Sequence, residues 1–362
     1  MPFFHDIIGQ EQGVRILRAF LEREQYPSAL LFVGGEGIGK REAALAFTQA
    51  LFCRAFHNVG GVEKKLFGDS RENASEPCGE CLSCRKMIDG NHPDFSTIEA
   101  DGNTIKVDQI RVMEEKIVFK PLESPQKVIL IDPADKMNAA AANGLLKTLE
   151  EPPSHAMMIL IASRPASLPE TVLSRCQKIY FYPLPQARLQ SILMEKKGWT
   201  AEEALLVATQ SDGRLGGALS MELASAEAME EKRFALVSEA TLTQPETLFE
   251  LAAQFSRDKE ILESAFSYLM GWFRDVLVFH SLQSPYEENL SRFVYPWRYK
   301  ELRQWAEWMA PEEVWTFLED VHQIQMGQNR NLNRTLSLET LLLRLREKII
   351  ARPLAARRLL EK

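Results

Sequence analysis

The sequence predicts an α/β nucleotide-type fold over its first half and an all-helical fold over its second. Three observations carry this. Short apolar runs at Ala29–Val33, Val128–Ile131 and Met157–Ile161 have the length of buried strands, and helical segments separate them. A glycine-rich loop, Gly34 to Lys40, lies between the first run and a helix. After Pro183-Leu184-Pro185 the strand pattern stops. Strands alternating with helices imply a mainly parallel sheet flanked by helices on both faces.

The elements follow in order. Ala29-Leu-Leu-Phe-Val33 reads as a buried strand that turns at Gly34-Gly35. Lys40 to Phe52 has helical spacing and good helix formers. Asn58 to Pro77 has little periodicity and reads as an insertion. Val128–Ile131 is stopped by Asp132-Pro133, and the Ala- and Leu-rich helix Asn138 to Glu151 is ended by Pro152-Pro153. Met157–Ile161 is the third strand. Residues 186–225 read as short helices around Gly213, Gly216 and Gly217, and residues 226–362 as helix throughout. Five of the six tryptophans lie between Trp272 and Trp315 and read as an aromatic core of that helical region.

The chain has 362 residues, enough for two or three domains. An apolar fraction of 45% and a charged fraction of 26% are ordinary for a globular protein and argue against disorder, a collagen-like chain or a coiled-coil rod. With 43 Lys and Arg against 50 Asp and Glu, the net charge is −7, which excludes a bulk nucleic-acid coat. The longest uncharged apolar run, Ala156 to Ala162, is too short to cross a bilayer. The start Met-Pro-Phe-Phe-His-Asp lacks the basic and apolar regions of a secretion signal, so the expected compartment is the cytoplasm.

Gly34-Gly-Glu-Gly-Ile-Gly39-Lys40 has the spacing of a phosphate loop. Its backbone N–H groups and the helix N-terminus form an anion cradle, and Lys40 adds a charge for the β- and γ-phosphates. A working loop continues with Ser or Thr, whose hydroxyl binds Mg²⁺. This chain has Arg41, which offers only N–H donors. Asp132 ends a strand as a magnesium-holding acid should, but Pro133 stands where a hydrolysing enzyme places its water-activating Glu. Asp135 is the alternative acid. The two losses predict a nucleotide fold without hydrolysis, with ATP or ADP binding through Gly34, Gly39, Lys40 and Asp132 left open.

Five cysteines, three of them at Cys78, Cys81 and Cys84, suit a metal site in a reducing compartment better than a secreted disulfide framework. The spacing lets the thiolates converge on one tetrahedral ion. Cys53, at the end of the helix after the loop, is the best fourth ligand, with His57 and His92 as rivals. A structural Zn²⁺ is the expected cofactor, and an iron–sulfur cluster is the competitor. His92-Pro93-Asp94 reads as a turn, and Glu150-Glu151 as a helix end with no catalytic part.

Several stretches together resemble a known family. Phe4-His-Asp-Ile-Ile-Gly-Gln10 is similar to the N-terminal adenine-side box of AAA+ proteins. The cysteine knuckle with His92-Pro93-Asp94, Val107-Asp-Gln-Ile-Arg111, Asn143 to Pro153 and Leu173-Ser-Arg-Cys-Gln177 resemble bacterial clamp-loader subunits. Trp272-Phe-Arg-Asp275 and Asn331 to Glu339 are similar to their collar region. The resemblance implies an AAA+ module at 1–183 with a zinc-knuckle insertion at about 53–84. It also implies a helical lid at 184–225 and a helical collar for oligomerisation at 226–362. Arg41 and Pro133 are unlike the motor subunits gamma and tau and resemble the non-hydrolysing stator, the delta-prime type of DNA polymerase III.

That type implies a replication role in the cytoplasmic replisome. The chain would complete a neighbour's ATP site with Arg175, which falls on the family's trans-acting arginine. The implied partners are the gamma/tau motor subunits and the delta subunit, and indirectly the sliding clamp and primer-template DNA. Aligning Gly213-Arg-Leu-Gly-Gly-Ala-Leu219 on its Ala-Leu puts Gly216 where motor subunits carry a lid arginine, with Arg214 close by. The alternatives are a hydrolysing motor subunit or other AAA+ remodeller, against which Arg41 and Pro133 weigh, and a zinc-dependent DNA binder. Only Arg85 and Lys86 adjoin the knuckle, which weighs against the last.

Overall fold

A computed structural model describes residues 2–54, 76–282, 292–327 and 333–351. Strands β1 (Ala29–Val33), β2 (Phe95–Ile98), β3 (Lys127–Ile131), β4 (Ala156–Ala162) and β5 (Gln177–Tyr180) form one sheet in the order β2-β3-β4-β1-β5. Every pairing is parallel, with Leu31 opposite Leu160 and Ile129 opposite Met158.

The side-chain period of two explains why the central strands read as unbroken apolar runs. Leu30, Phe32, Leu130 and Ile159 point to one face, under α1 (Glu11–Arg23) and α2 (Lys40–Phe52). Leu31, Ile129, Ile131 and Leu160 point to the other, under α4 (Val107–Ile117) and α5 (Ala139–Glu150). Between these lies α3 (Leu82–Ile88), and α6 (Glu170–Leu173) precedes β5. The expected strands and helices of this half fall where the sequence puts them, within a residue at each end. Asn138 caps α5 by accepting the Ala141 N–H at 2.8 Å. The outer strands β2 and β5 give no sequence signal, because only Ile98 and Ile179 of their side chains are buried.

The chain divides into two compact units, Met1–Leu193 with Ser211–Ser220, and Met194–Gln210 with Met221–Lys362. Helix α7 (Gln186–Lys197) runs across the first boundary, and α9 (Leu215–Ser220) belongs to the first unit. The second unit is helical: α8 (Ala201–Gln210), α10 (Leu223–Phe234), α11 (Glu239–Thr243), α12 (Pro245–Phe255), α13 (Lys259–Ser281), α14 (Tyr299–Trp308), α15 (Pro311–Gly327) and α16 (Arg334–Ile350). Its core contains Trp272, Trp305, Phe266 and Phe273. Trp315 departs from the expected aromatic core: it is 59% exposed on α15, its indole N–H donating to Glu319 one turn on. Among the described residues no helix is long and apolar enough to cross a membrane. His57, most of the 58–77 insertion, and Asn331 and Leu332 lie outside the described residues.

Candidate functional site

The phosphate loop leaves the C-terminal end of β1 and enters α2. Gly34 is required by close approach, since a Cβ there would lie 2.4 Å from the Phe181 carbonyl oxygen. Gly39 holds φ +99°, a left-handed conformation that suits glycine at the first turn of α2. Two outside groups fix the loop. The Gln10 amide donates to the carbonyls of Ile38 (3.1 Å) and Tyr182 (2.7 Å) and accepts the Tyr182 N–H (3.0 Å). The Gly216 N–H donates to the Gly37 carbonyl at 3.2 Å. The backbone that meets the loop here therefore carries no side chain. The neighbouring Arg214 is spent on its own turn, donating to the Ser211 carbonyl (3.0 Å) and pairing with Asp212 (3.2 Å).

The loop's cations face inward. Lys40 is 5% exposed, and its Nζ donates to the carbonyls of Gly34 (2.5 Å) and Gly35 and to Ser163 Oγ (3.3 Å). Burial pushes the Lys40 pKa down, with Asp132 the foremost carboxylate opposing it. Arg41 reaches across to the strand ends, Nη1 to Asp132 Oδ2 at 2.8 Å and Nη2 to Glu99 Oε1 at 2.6 Å. Asp132, not Asp135, meets Arg41. Asp135 accepts the Ser163 N–H at 3.3 Å and lies 3.8 Å from Arg164. A magnesium ion needs oxygen ligands. Here a guanidinium occupies the acid that would hold one, so the residues present do not fit a loop-bound Mg²⁺. Ser163 and Glu99 belong to this network but escape the sequence reading. Ser163 could have been found as the polar residue closing β4 beside β1, whereas Glu99 follows a strand that gives no signal.

Arg175 follows α6 on the surface of the first unit. Nη1 donates to the Thr171 carbonyl at 2.9 Å and Nη2 pairs with Glu150 Oε1 at 2.7 Å. Its side chain is about one-third exposed and that of Glu150 about half, so solvent competes for the pair, which is worth about 0–1 kcal/mol. Glu150 is therefore more than a helix end. The contacts of Arg175 are separate from those of Lys40 and Arg41.

The four cysteines converge. The Sγ atoms of Cys53, Cys78, Cys81 and Cys84 all lie within 4.8 Å of one another, with Cys78 and Cys84 at 4.0 Å. Tetrahedral Zn–S bonds of about 2.3 Å place sulfurs roughly 3.8 Å apart, so the set fits such an ion. Cys53 ends α2 and Cys81 caps α3. Backbone N–H groups of Cys78, Cys81 and Cys84 point at the sulfurs of Cys53, Cys78 and Cys81, at 3.3, 3.3 and 3.5 Å. Such donors favour thiolates. Hydrogen bonding with Cys53, and then burial, push the Cys84 thiol up. Burial opposes ionisation of Cys81, but backbone N–H groups, led by that of Cys84, outweigh it and hold its pKa down.

The rival His92 is committed elsewhere. Its ring stacks on Phe52 at 4.4 Å, Nδ1 accepts the Asp94 N–H (3.2 Å), and Nε2 lies 3.4 Å from Ser124 Oγ. Asp94 in turn accepts the N–H groups of Leu122, Glu123 and Ser124 at 2.7 to 2.9 Å. The His92-Pro93-Asp94 turn thus fastens the segment before β3.

Residues 9–185, which carry the loop, the thiol cluster and Arg175, match the family described as DNA polymerase III, delta subunit. Over 187 residues the chain is 36% identical to DNA polymerase III subunit delta′ of Bacillus subtilis (strain 168), covering 52% of each. Over 223 residues it is 33% identical to subunit tau of the same organism, covering 60% of this chain and 37% of that one. A DNA polymerase III gamma subunit-related protein from Thermotoga maritima aligns with 93% of this chain and 99% of its own at 18% identity and a TM-score of 0.40. The chain spans about half the length, or less, of these curated relatives. The likeness to delta′ and to tau does not separate one subunit type from the other. It does carry what the two share: over residues 9–185 the chain is similar to subunits of bacterial DNA polymerase III.

Proposed function

We propose that the chain is the non-hydrolysing, delta′-type stator of the clamp loader, acting in the cytoplasmic replisome. The observation that carries this reading is Arg41, which stands where a metal-binding hydroxyl belongs and holds both Asp132 and Glu99. Pro133 supplies no base, and Gly216 brings no guanidinium to the loop. The loop amides remain a weak cradle for ATP or ADP, but no step passes through them here. A structural Zn²⁺ would be held by Cys53, Cys78, Cys81 and Cys84, its chemistry limited to cross-linking α2 to the knuckle, because four thiolates close its shell. Residues 1–183, 184–225 and 226–362 would serve as AAA+ module, lid and collar.

The working group would be Arg175. Its planar fork matches phosphate oxygens, and its pair with Glu150 is weak enough to exchange for a neighbour's γ-phosphate. It would complete the ATP site of a gamma/tau motor subunit, with the delta subunit as the other partner and the clamp and primer-template DNA reached through the assembly. An arginine supplied in trans is worth about 10³ to 10⁵ in rate at its own site. The test is Arg175→Ala in a reconstituted complex with wild-type motor subunits. DNA- and clamp-stimulated hydrolysis and clamp loading should fall while assembly stays intact. Unchanged rates in an intact complex would make Arg175 a structural arginine.

A further inference from the structure

The segment that precedes α1 is held from the cysteine knuckle. Phe4 to Asp6 form one turn of 3₁₀ helix, closed by the Asp6 carboxylate, which accepts the Phe3 N–H at 2.8 Å. Phe4 is buried in the core beneath α1 and α2. Polar contacts to this turn come from Glu76, two residues before Cys78. Its Oε2 accepts the Phe4 N–H at 2.9 Å and lies 3.7 Å from His5 Nδ1, and its Oε1 pairs with Arg18 of α1 at 2.5 Å. Arg18 in turn lies 5.4 Å over the Phe4 ring. A further contact comes from inside the knuckle. Gly79, between Cys78 and Cys81, holds φ +72°, and a Cβ there would lie 3.1 Å from Phe3 Cζ. The Phe3 ring thus rests on knuckle backbone that carries no side chain.

A chain terminus frays unless something ties it down. Here two ties, Glu76 and Gly79, flank the thiol cluster or lie within it. The knuckle brings little core of its own: from 76 to 84 only Pro77, Ser83 and Cys84 are buried, and Leu82 is exposed. A loop with so few buried side chains takes its shape from the metal that its thiolates share. The tied segment also reaches the phosphate loop. Ile7 Cγ2 lies 3.9 Å from where a Cβ on Gly39 would stand, and Gln10 holds the Ile38 carbonyl.

We propose that the thiol cluster, when it holds its metal, locks the N-terminal segment beside the phosphate loop through Glu76 and Gly79. This role rests on the four-thiol metal reading above. Without metal, Glu76 loses its fixed position and the Phe4 N–H its acceptor. Hydrogen exchange of the full chain, read by mass spectrometry on peptides spanning residues 2–10, compares zinc-loaded protein, chelator-stripped protein and stripped protein with Zn²⁺ restored. Stripping should speed exchange of these peptides at least tenfold and added Zn²⁺ should reverse it, while β4 keeps its protection. At saturating Zn²⁺, Glu76→Ala and Phe3→Ala should speed the same exchange with zinc content and β4 protection unchanged. Because coupling between sites is reciprocal, Glu76→Ala should also hold zinc at least threefold more weakly in a chelator competition. Unchanged exchange on stripping, or wild-type exchange in both zinc-saturated variants, would overturn the proposal. Where stripping opens β4 as well, the zinc-saturated variants decide, and where Glu76→Ala opens β4, Phe3→Ala decides. A purified chain that binds no metal would fail the metal reading itself, and this role with it.

Discussion

Asp275 offers a quantitative test of how the helical unit is built. It is fully buried on α13, where Oδ2 accepts the N–H groups of Val294 (2.7 Å) and Tyr295 (2.8 Å) and Oδ1 pairs with Arg274 at 2.7 Å. Burial outweighs these partners and raises its pKa from 3.8 to about 6. The folded state therefore takes up a proton at higher pH than the unfolded chain does. The group's contribution to stability is fully present below the unfolded pKa and is lost as pH rises through about 6. At about 1.4 kcal/mol per pH unit, going from pH 7 down to pH 4.5 adds about 2 kcal/mol. Asp275→Asn keeps an acceptor but cannot titrate. The difference in unfolding free energy between wild type and this variant should therefore shift by about 2 kcal/mol toward wild type over that range. Asp275→Ala, which strands two N–H groups, should cost at least about 2 kcal/mol at pH 7. All six tryptophans lie in the second unit, so urea unfolding followed by tryptophan fluorescence reports on it. Parallel pH profiles for wild type and Asp275→Asn would show that Asp275 does not titrate in this way.

Metal analysis of the purified chain should give about one zinc per protein. Cys53→Ser should lose most of it, and Cys176→Ser, whose side chain is buried in the sheet core on the side away from α2, should retain it. Full retention in Cys53→Ser, or iron in place of zinc, would contradict the four-thiol assignment. Arg41→Thr restores a hydroxyl but not a base at Pro133, so ATP turnover should stay at background. Its two lost ion pairs are partly exposed, so urea unfolding should show a loss of no more than about 2 kcal/mol. Turnover in this single variant would show that Arg41 alone silences the site.

Much of the first unit is legible in the sequence because its signals are local. A buried strand is a contiguous apolar run, a phosphate loop is a contiguous glycine spacing, and three of the four thiols lie within one knuckle. Cys53 was reachable because it ends the helix that the loop begins. What the sequence hides depends on non-local placement. The edge strands β2 and β5 bury one side chain each, so Glu99, at the end of β2, could not be placed beside Arg41. The pairing of Arg175 with Glu150 joins residues on two separate helices' ends, and the commitment of His92 to Phe52 and Asp94 follows from packing rather than spacing. Trp315 shares the composition of the aromatic cluster, yet its position on α15 turns it outward. In the motif Trp272-Phe-Arg-Asp275, the buried acid pairs with its neighbour Arg274, but the two N–H groups that it also accepts come from residues distant in sequence.

This chain's own phosphate loop is expected not to drive hydrolysis, because Lys40 is bound to loop carbonyls and Arg41 holds the strand-end acids. The most direct test is steady-state ATP hydrolysis by the purified chain alone, with Mg²⁺, over a range of ATP concentrations. No turnover above background is expected, even where weak nucleotide binding is detected. Turnover at rates typical of AAA+ motors, abolished by Lys40→Ala, would contradict it.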